Sequence, residues 1–174
     1  MKSIFTLVAL CLCSTVLNAT VKLPAVVGDN MVIQQNANVR LWGSAKANGD
    51  VKITTSWGAT ATTKADKDGK FLTTVKTEAG SYNAQSITIS DKDGSVTVNN
   101  VLVGEVWFAG GQSNMEMPLM GFWQCPTEGA NKEIATAGQY AGKIRYAVID
   151  HVPAMEPQDF MSGQWYECNA FNAP

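Results

Sequence analysis

The sequence predicts two unlike parts in succession. Residues 20–103 read as an antiparallel β-sandwich, and residues 104–174 as the start of an α/β domain with a parallel sheet. Two observations predict this. Over residues 20–103, short β-branched and aromatic runs alternate with turn signals at regular intervals, the pattern of an antiparallel all-β architecture. After residue 103 the order becomes apolar strand, Gly-Gly turn, helical stretch and second strand, a βαβ order that implies parallel pairing. A third stretch, residues 1–19, differs in composition from both.

That first stretch begins with Lys2, runs through an apolar core at residues 4–13 and closes on small and polar residues up to Ala19. A charged start, a short apolar core and a small residue at the exit describe a secretory signal peptide. Cleavage after Ala19 is expected, with export to the periplasm or the extracellular space. The core is too short to persist as a bilayer-spanning helix. Leu10 and Leu12 precede Cys11 and Cys13, so neither cysteine has the small residue before it that a lipid-anchored signal would carry.

The expected strands of the sandwich are residues 39–43, 51–57, 61–65, 71–75, 86–89 and 96–98, and turns are expected at 47–50, 66–69 and 91–94. The last two turns share the tetrapeptide Asp-Lys-Asp-Gly, which invites a calcium reading. An EF-hand loop needs an acid two positions earlier, and Lys64 and Ile89 stand there instead. Both are therefore hairpin turns, with Asp opening the turn and Gly supplying a positive φ.

Beyond residue 103, Val106-Trp107-Phe108-Ala109 reads as a buried strand running into Gly110-Gly111. Ser113 would then stand at the carboxyl end of a strand, where open α/β sheets place their chemistry. A loop over residues 115–129 follows. Residues 130–140 suit a short helix with Ile134 and Ala137 on one face. Residues 144–149 read as the second strand, and residues 164–166 as a short one.

Composition narrows the function classes. The 174 residues are 45% hydrophobic and 16% charged, with a formal net charge of -2, as in an ordinary globular protein. Lys and Arg are scattered, so no basic stripe marks a nucleic-acid partner. No polybasic or amphipathic helix marks a membrane partner once the leader is removed. Cys125 and Cys168 remain in the mature chain, either as one disulfide or as two separate thiols. Two cysteines and one histidine are too few for a structural zinc site, and no metal or other cofactor is expected.

The chemistry-bearing stretch is Gly110-Gly111-Gln112-Ser113-Asn114-Met115-Glu116-Met117-Pro118. Its glycines permit a tight turn and let main-chain N–H groups approach a substrate as donors. Met115 stands where the nucleophile elbow of α/β-hydrolases has its final glycine, so that class is excluded. The run Gly-Gln-Ser-Asn-Met-Glu-Met-Pro resembles the nucleophile block of the sialate O-acetylesterases, carbohydrate esterases of the SGNH (GDSL-like) hydrolase superfamily. Val103-Gly104-Glu105-Val106-Trp107 resembles the run that leads into that block, and Lys143-Ile144-Arg145 resembles the second sheet strand. Residues 20–104 look like the family's N-terminal sandwich.

The resemblance implies an SGNH-type α/β/α (flavodoxin-like) hydrolase domain beginning at residue 104, and serine-dependent deacetylation of an acetylated carbohydrate. Ser113 would be the nucleophile and its own N–H an oxyanion donor, with Gly111, Gln112 and Asn114 shaping the oxyanion turn. The family's remaining donors, a glycine N–H and an asparagine side chain, come from later blocks, so Asn114 is not that asparagine. Relatives act on acetylated sialic acids or acetylated xylan, and no residue here selects between them.

A serine hydroxyl needs a base. The family takes its histidine from an Asp-x-x-His block, whereas the single histidine here, His151, has Val148 three residues before it and Asp150 adjacent. His151 is therefore expected on a surface loop. The chain is expected to hold the nucleophile half of a truncated esterase, inactive alone, with a partner supplying the other catalytic half. The alternative is a non-catalytic exported β-sandwich module, glycan-binding or structural. Phe122 and Trp123 could stack on a sugar ring, or simply pack.

Overall fold

The structure, a computed structural model, describes residues 21–172. The expected leader and its cleavage site after Ala19 lie outside these residues. Strands dominate. β1 (Val32–Gln34), β2 (Asn38–Ser44), β3 (Asp50–Thr55), β4 (Thr60–Lys64), β5 (Lys70–Lys76), β6 (Ser81–Ser90) and β7 (Ser95–Gly104) form two sheets. One has the order β1-β7-β6-β3-β4 and the other pairs β2 with β5. Alternation places Val51 and Ile53 of β3, and Ile87 and Ile89 of β6, on one inner face. Leu41 of β2 and Phe71 and Val75 of β5 supply the other, and all seven join one buried cluster. Each such side chain contributes about 1.5–3 kcal/mol on leaving water, which is what holds the sheets face to face.

All pairs but one in these sheets are antiparallel, as the short connections require. β1 and β7 run parallel, with Val32 opposite Leu102 and Gln34 opposite Gly104. A parallel pair needs a long connection, and here strands β2 to β6 lie between its members.

The turns follow from side-chain chemistry. The Asp66 carboxylate accepts from the N–H groups of Asp68 (2.9 Å) and Lys70 (2.8 Å), and Gly69 takes φ +81. The Asp91 carboxylate accepts from Asp93 (2.9 Å) and Gly94 (3.0 Å), although Gly94 needs no positive φ. Among the described residues, the non-glycine positions with positive φ are Asn30, Asn36, Asn48 and Asn100, a conformation that asparagine tolerates better than most L-residues.

Asn100 sits at an irregularity. Ile87 faces Val98 and Gln85 faces Val101, so β7 carries one extra residue there. Such a bulge re-aims a side chain. The Asn100 amide donates to Asn30 Oδ1 (2.7 Å) and Glu167 Oε1 (3.0 Å).

After Gly104 the chain departs from expectation. Residues 106–109 are not a strand, and Trp107 and Phe108 are 89% and 97% exposed. No strand among the described residues lies beside them, and an apolar segment with neither ladder nor cover has nothing to bury it. The helical stretch does form, as α2 (Ala130–Thr136) followed by a 3-10 turn, Ala137–Tyr140. Ala130 and Ala137 are buried and Ile134 is half-buried, one face at helical spacing.

β10 (Arg145–Ile149) also forms, but it pairs antiparallel with β11 (Gly163–Glu167), so the expected parallel βαβ unit is not formed among the described residues. The partner that reaches β10 is its sequence neighbour, returning through a loop. Tyr146 and Tyr166 stack across this pair at 5.4 Å between ring centroids. Between α2 and β7 lie only a one-turn helix, α1 (Ser113–Glu116), and a minimal hairpin of β8 (Gly121–Phe122) and β9 (Cys125–Pro126).

The β10–β11 hairpin docks on the sandwich. Trp165 packs against the core cluster, and Ala25 N–H donates to the Met161 carbonyl at 3.1 Å. Trp42 Nε1 donates to the Asp159 carbonyl (2.8 Å), while Lys70 Nζ pairs with the Asp159 carboxylate (2.6 Å).

Candidate functional site

Ser113 opens α1. Gln112 caps that turn with its carbonyl, accepting from Met115 N–H (2.9 Å) and Glu116 N–H (3.1 Å), and Ser113 O accepts from Met117 N–H (2.9 Å). The helix stops after one turn because Met117 precedes Pro118. The residue before proline is pushed out of the α region, and Met117 has φ −62, ψ 122. The first N–H groups of a helix have no intrahelical acceptor, which places those of Ser113 and Asn114 at the open end of the turn. A Cβ on Gly111 would lie 2.7 Å from Met115 Cγ, so the glycine leaves room for that side chain to fold back.

The sequence-predicted residues Gly111, Gln112, Ser113 and Asn114 therefore share one turn, and all four are exposed. The turn stands well beyond the end of β7 and not at the tip of a strand, because residues 106–109 are unpaired. No side chain among the described residues hydrogen-bonds to the Ser113 hydroxyl.

His151 lies on an exposed loop, as expected, yet that loop returns to α1. Its Nδ1 is 3.8 Å from Glu116 Oε1, with both side chains exposed. Glu116 belongs to the nucleophile block and follows Ser113 by three positions, on the same side of the turn. This neighbour was invisible in the sequence because 35 residues separate the pair. Exposed pairs of this kind contribute about 0–1 kcal/mol.

Glu105, where the chain leaves β7, accepts from Gln35 Nε2 (2.6 Å) and Gln34 Nε2 (3.1 Å). These hydrogen bonds hold its carboxyl below the usual carboxylate range, Gln35 contributing most. Gln34 Oε1 in turn accepts from Val106 N–H at 3.0 Å.

At the other end of the segment, the Arg145 side chain is 2% exposed. Its guanidinium donates to the carbonyl and the amide oxygen of Asn100 and lies 3.4 Å from Glu167 Oε1. Burial lowers the Arg145 pKa from its ordinary value, and Glu167 opposes that shift. Sequence reading used Arg145 only as part of a strand.

Trp123 sits at the β8–β9 hairpin, 96% exposed, beside the half-exposed Phe122. Cys125 and Cys168 are free thiols. Among the described residues no group of three His, Cys, Asp or Glu side chains could hold a metal ion. No helix among them is long and apolar enough to cross a membrane. A shallow depression over β3 and β4, lined by Lys52, Thr62, Lys64 and neighbours, contains none of the nucleophile-block residues.

The fold is similar to that of a carbohydrate acetylesterase from Xanthomonas citri, with a TM-score of 0.76 and 28% identity over 88% of this chain. The match covers 34% of that structure, so the chain spans about a third of its length. This is a carbohydrate esterase-like fold. Domains 4 and 5 of the S-layer protein SbsC align at 17% identity over 51% of this chain and 54% of theirs, with a TM-score of 0.36, too slight to bear on the argument. No protein-family model matches the chain, and no curated protein matches it in sequence.

Proposed function

We propose that this chain carries the nucleophile portion of a serine-dependent carbohydrate O-acetylesterase of the sialate O-acetylesterase kind. Residues 104–174 would then contribute to an SGNH-type hydrolase domain. The observation that carries the reading is the likeness to a carbohydrate acetylesterase over most of this chain, together with the Gly-Gln-Ser-Asn-Met-Glu-Met-Pro run. The substrate is an acetyl ester on a sugar. The chain is exported, its leader cleaved after Ala19. N-terminal sequencing of secreted protein should begin at Thr20, and secreted material still starting at Met1 would refute cleavage of the leader, while absence of the protein from every exported fraction would refute export.

In this reading Ser113 Oγ attacks the acetyl carbonyl carbon while a base removes its proton. The carbonyl oxygen becomes an oxyanion, which the N–H groups at the open end of α1 are placed to receive. Collapse expels the sugar hydroxyl, which takes the proton back, and leaves an acetyl-serine that water hydrolyses. The acetyl group ends as acetate and Ser113 is restored. The base and its carboxylate come from polypeptide other than residues 21–172, since His151 faces Glu116 and not Ser113. The exposure of Trp107, Phe108 and Trp123 accords with such a covering partner.

Hydrolysis of p-nitrophenyl acetate by the purified chain, beside Ser113→Ala and His151→Ala, tests the assignment. Little or no turnover above the Ser113→Ala background is the expected result, since a serine hydroxyl without its base is a weak nucleophile. Robust turnover lost in both variants would make His151 the base. Equal background in all three proteins would support a nucleophile half that is inactive alone.

A further inference from the structure

We propose that residues 105–144 form an excursion clamped at both ends onto the strand pair β1–β7, and that Gln34, Gln35, Asn100 and Arg145 are the positioning residues of those clamps. The role of Ser113 within the excursion rests on the proposed function, but the clamping does not.

The first clamp is at the exit from β7. Gln34 is the register partner of Gly104, and Gln35 N–H donates to the Gly104 carbonyl at 2.8 Å. The side chains of the same two residues hold Glu105 and Val106. Gln35 is fixed in turn, since its Oε1 accepts from Gly80 N–H at 2.6 Å. The chain therefore leaves the sheet with its backbone and its first charged side chain both tied to the end of β1.

The second clamp is where the excursion returns. Arg145, the first residue of β10, is buried against the bulge of β7, and Asn100 presents both its carbonyl and its amide oxygen to it. Glu167 of β11 reaches the same guanidinium and the Asn100 amide, and Asn30 completes the set. Arg145 Nε has no partner, so the side chain depends on its terminal nitrogens alone. Breaking a buried charge away from such partners leaves it uncompensated.

Both clamps thus stand on adjacent strands, a few residues apart along β7. Everything between them, including α1, the β8–β9 hairpin and α2, is presented from that one edge of the larger sheet. The sandwich is then the platform that sets where Ser113 points.

Hydrogen exchange read by mass spectrometry on the intact chain tests this. Asn100→Gly keeps the left-handed backbone while removing the amide, and Arg145→Gln removes the charge. Each should raise exchange in residues 140–150 by roughly tenfold or more, the loss expected for charge-assisted hydrogen bonds. The double variant should fall short of the sum of the two single effects, because both remove the hydrogen bond from Arg145 to the Asn100 amide oxygen. Gln35→Ala should loosen residues 105–112 instead. Amides of β3 and β6 should keep their protection throughout. Unchanged exchange in residues 105–112 and 140–150 would overturn the proposal. A parallel loss of protection in β3 and β6 would also overturn it, reducing these residues to general stability.

Discussion

Trp165 Nε1 donates a 3.2 Å hydrogen bond to the carbonyl of Val26, joining β11 to the stretch that precedes β1 across 139 positions of sequence. The indole also lies against the sandwich core. Trp165→Phe should keep much of the packing and lose the hydrogen bond, at a cost of about 1 kcal/mol. Trp165→Ala should cost more, on the order of 2–3 kcal/mol given its partial exposure. Urea unfolding followed by circular dichroism checks the order; equal effects would remove packing from the account.

Ser113 is exposed and its hydroxyl bonds to no side chain among the described residues. Ser113→Ala should therefore leave stability within about 0.5 kcal/mol of the parent. A thermal melt that drops by several degrees would show the hydroxyl to be structural, and any loss of esterase activity in that variant could no longer be read as chemistry.

Glu105 makes the first clamp sensitive to acid. Its folded pKa lies below the ordinary value because Gln35 and Gln34 hydrogen-bond the charged form, and those two neutral amides are the groups that face it. The stabilisation is present above the ordinary carboxylate value of the unfolded chain and is lost as pH falls through the lower, folded value. Protection of the Val106 amide, corrected for intrinsic exchange, should fall on acidification below that range. Glu105→Gln should show a flat profile over the same interval, and an identical fall in the variant would assign the effect elsewhere.

Two turn glycines separate conformational strain from collision. Gly58 has φ +89 and open space where a Cβ would stand, whereas Gly69 has φ +81 and would bring a Cβ within 2.7 Å of the Ala45 carbonyl oxygen. Gly58→Ala should cost about 1–2 kcal/mol, the left-handed penalty for an L-residue. Gly69→Ala should cost visibly more, because the obstacle is backbone and cannot swing away. Equal denaturation midpoints for the two variants would contradict that difference.

What was legible in the residues was local. Alternation of Val51 with Ile53 and of Ile87 with Ile89 marks one buried face in any strand of period two. The Asp66 and Asp91 turns fold through carboxylates that reach only two to four residues onward. Ile134 with Ala137 marks a helix face in the same way. The turn around Ser113 also came from neighbours, with Gln112 capping it and Pro118 ending it.

The remainder was decided by partners far away in sequence. Residues 106–109 have strand composition, but a strand exists only where another backbone pairs with it, and none among the described residues does. β10 looked like a parallel strand until β11 took its edge in the opposite sense. Arg145 became a buried anchor because a bulge in β7 turned Asn100 toward it, and His151 met Glu116 because a loop happened to return there. Side-chain propensity and short-range hydrogen bonds determine which local shapes a segment prefers. Only tertiary packing decides which of those shapes finds a neighbour, since the free energy of pairing and burial belongs to the contact and not to either segment alone.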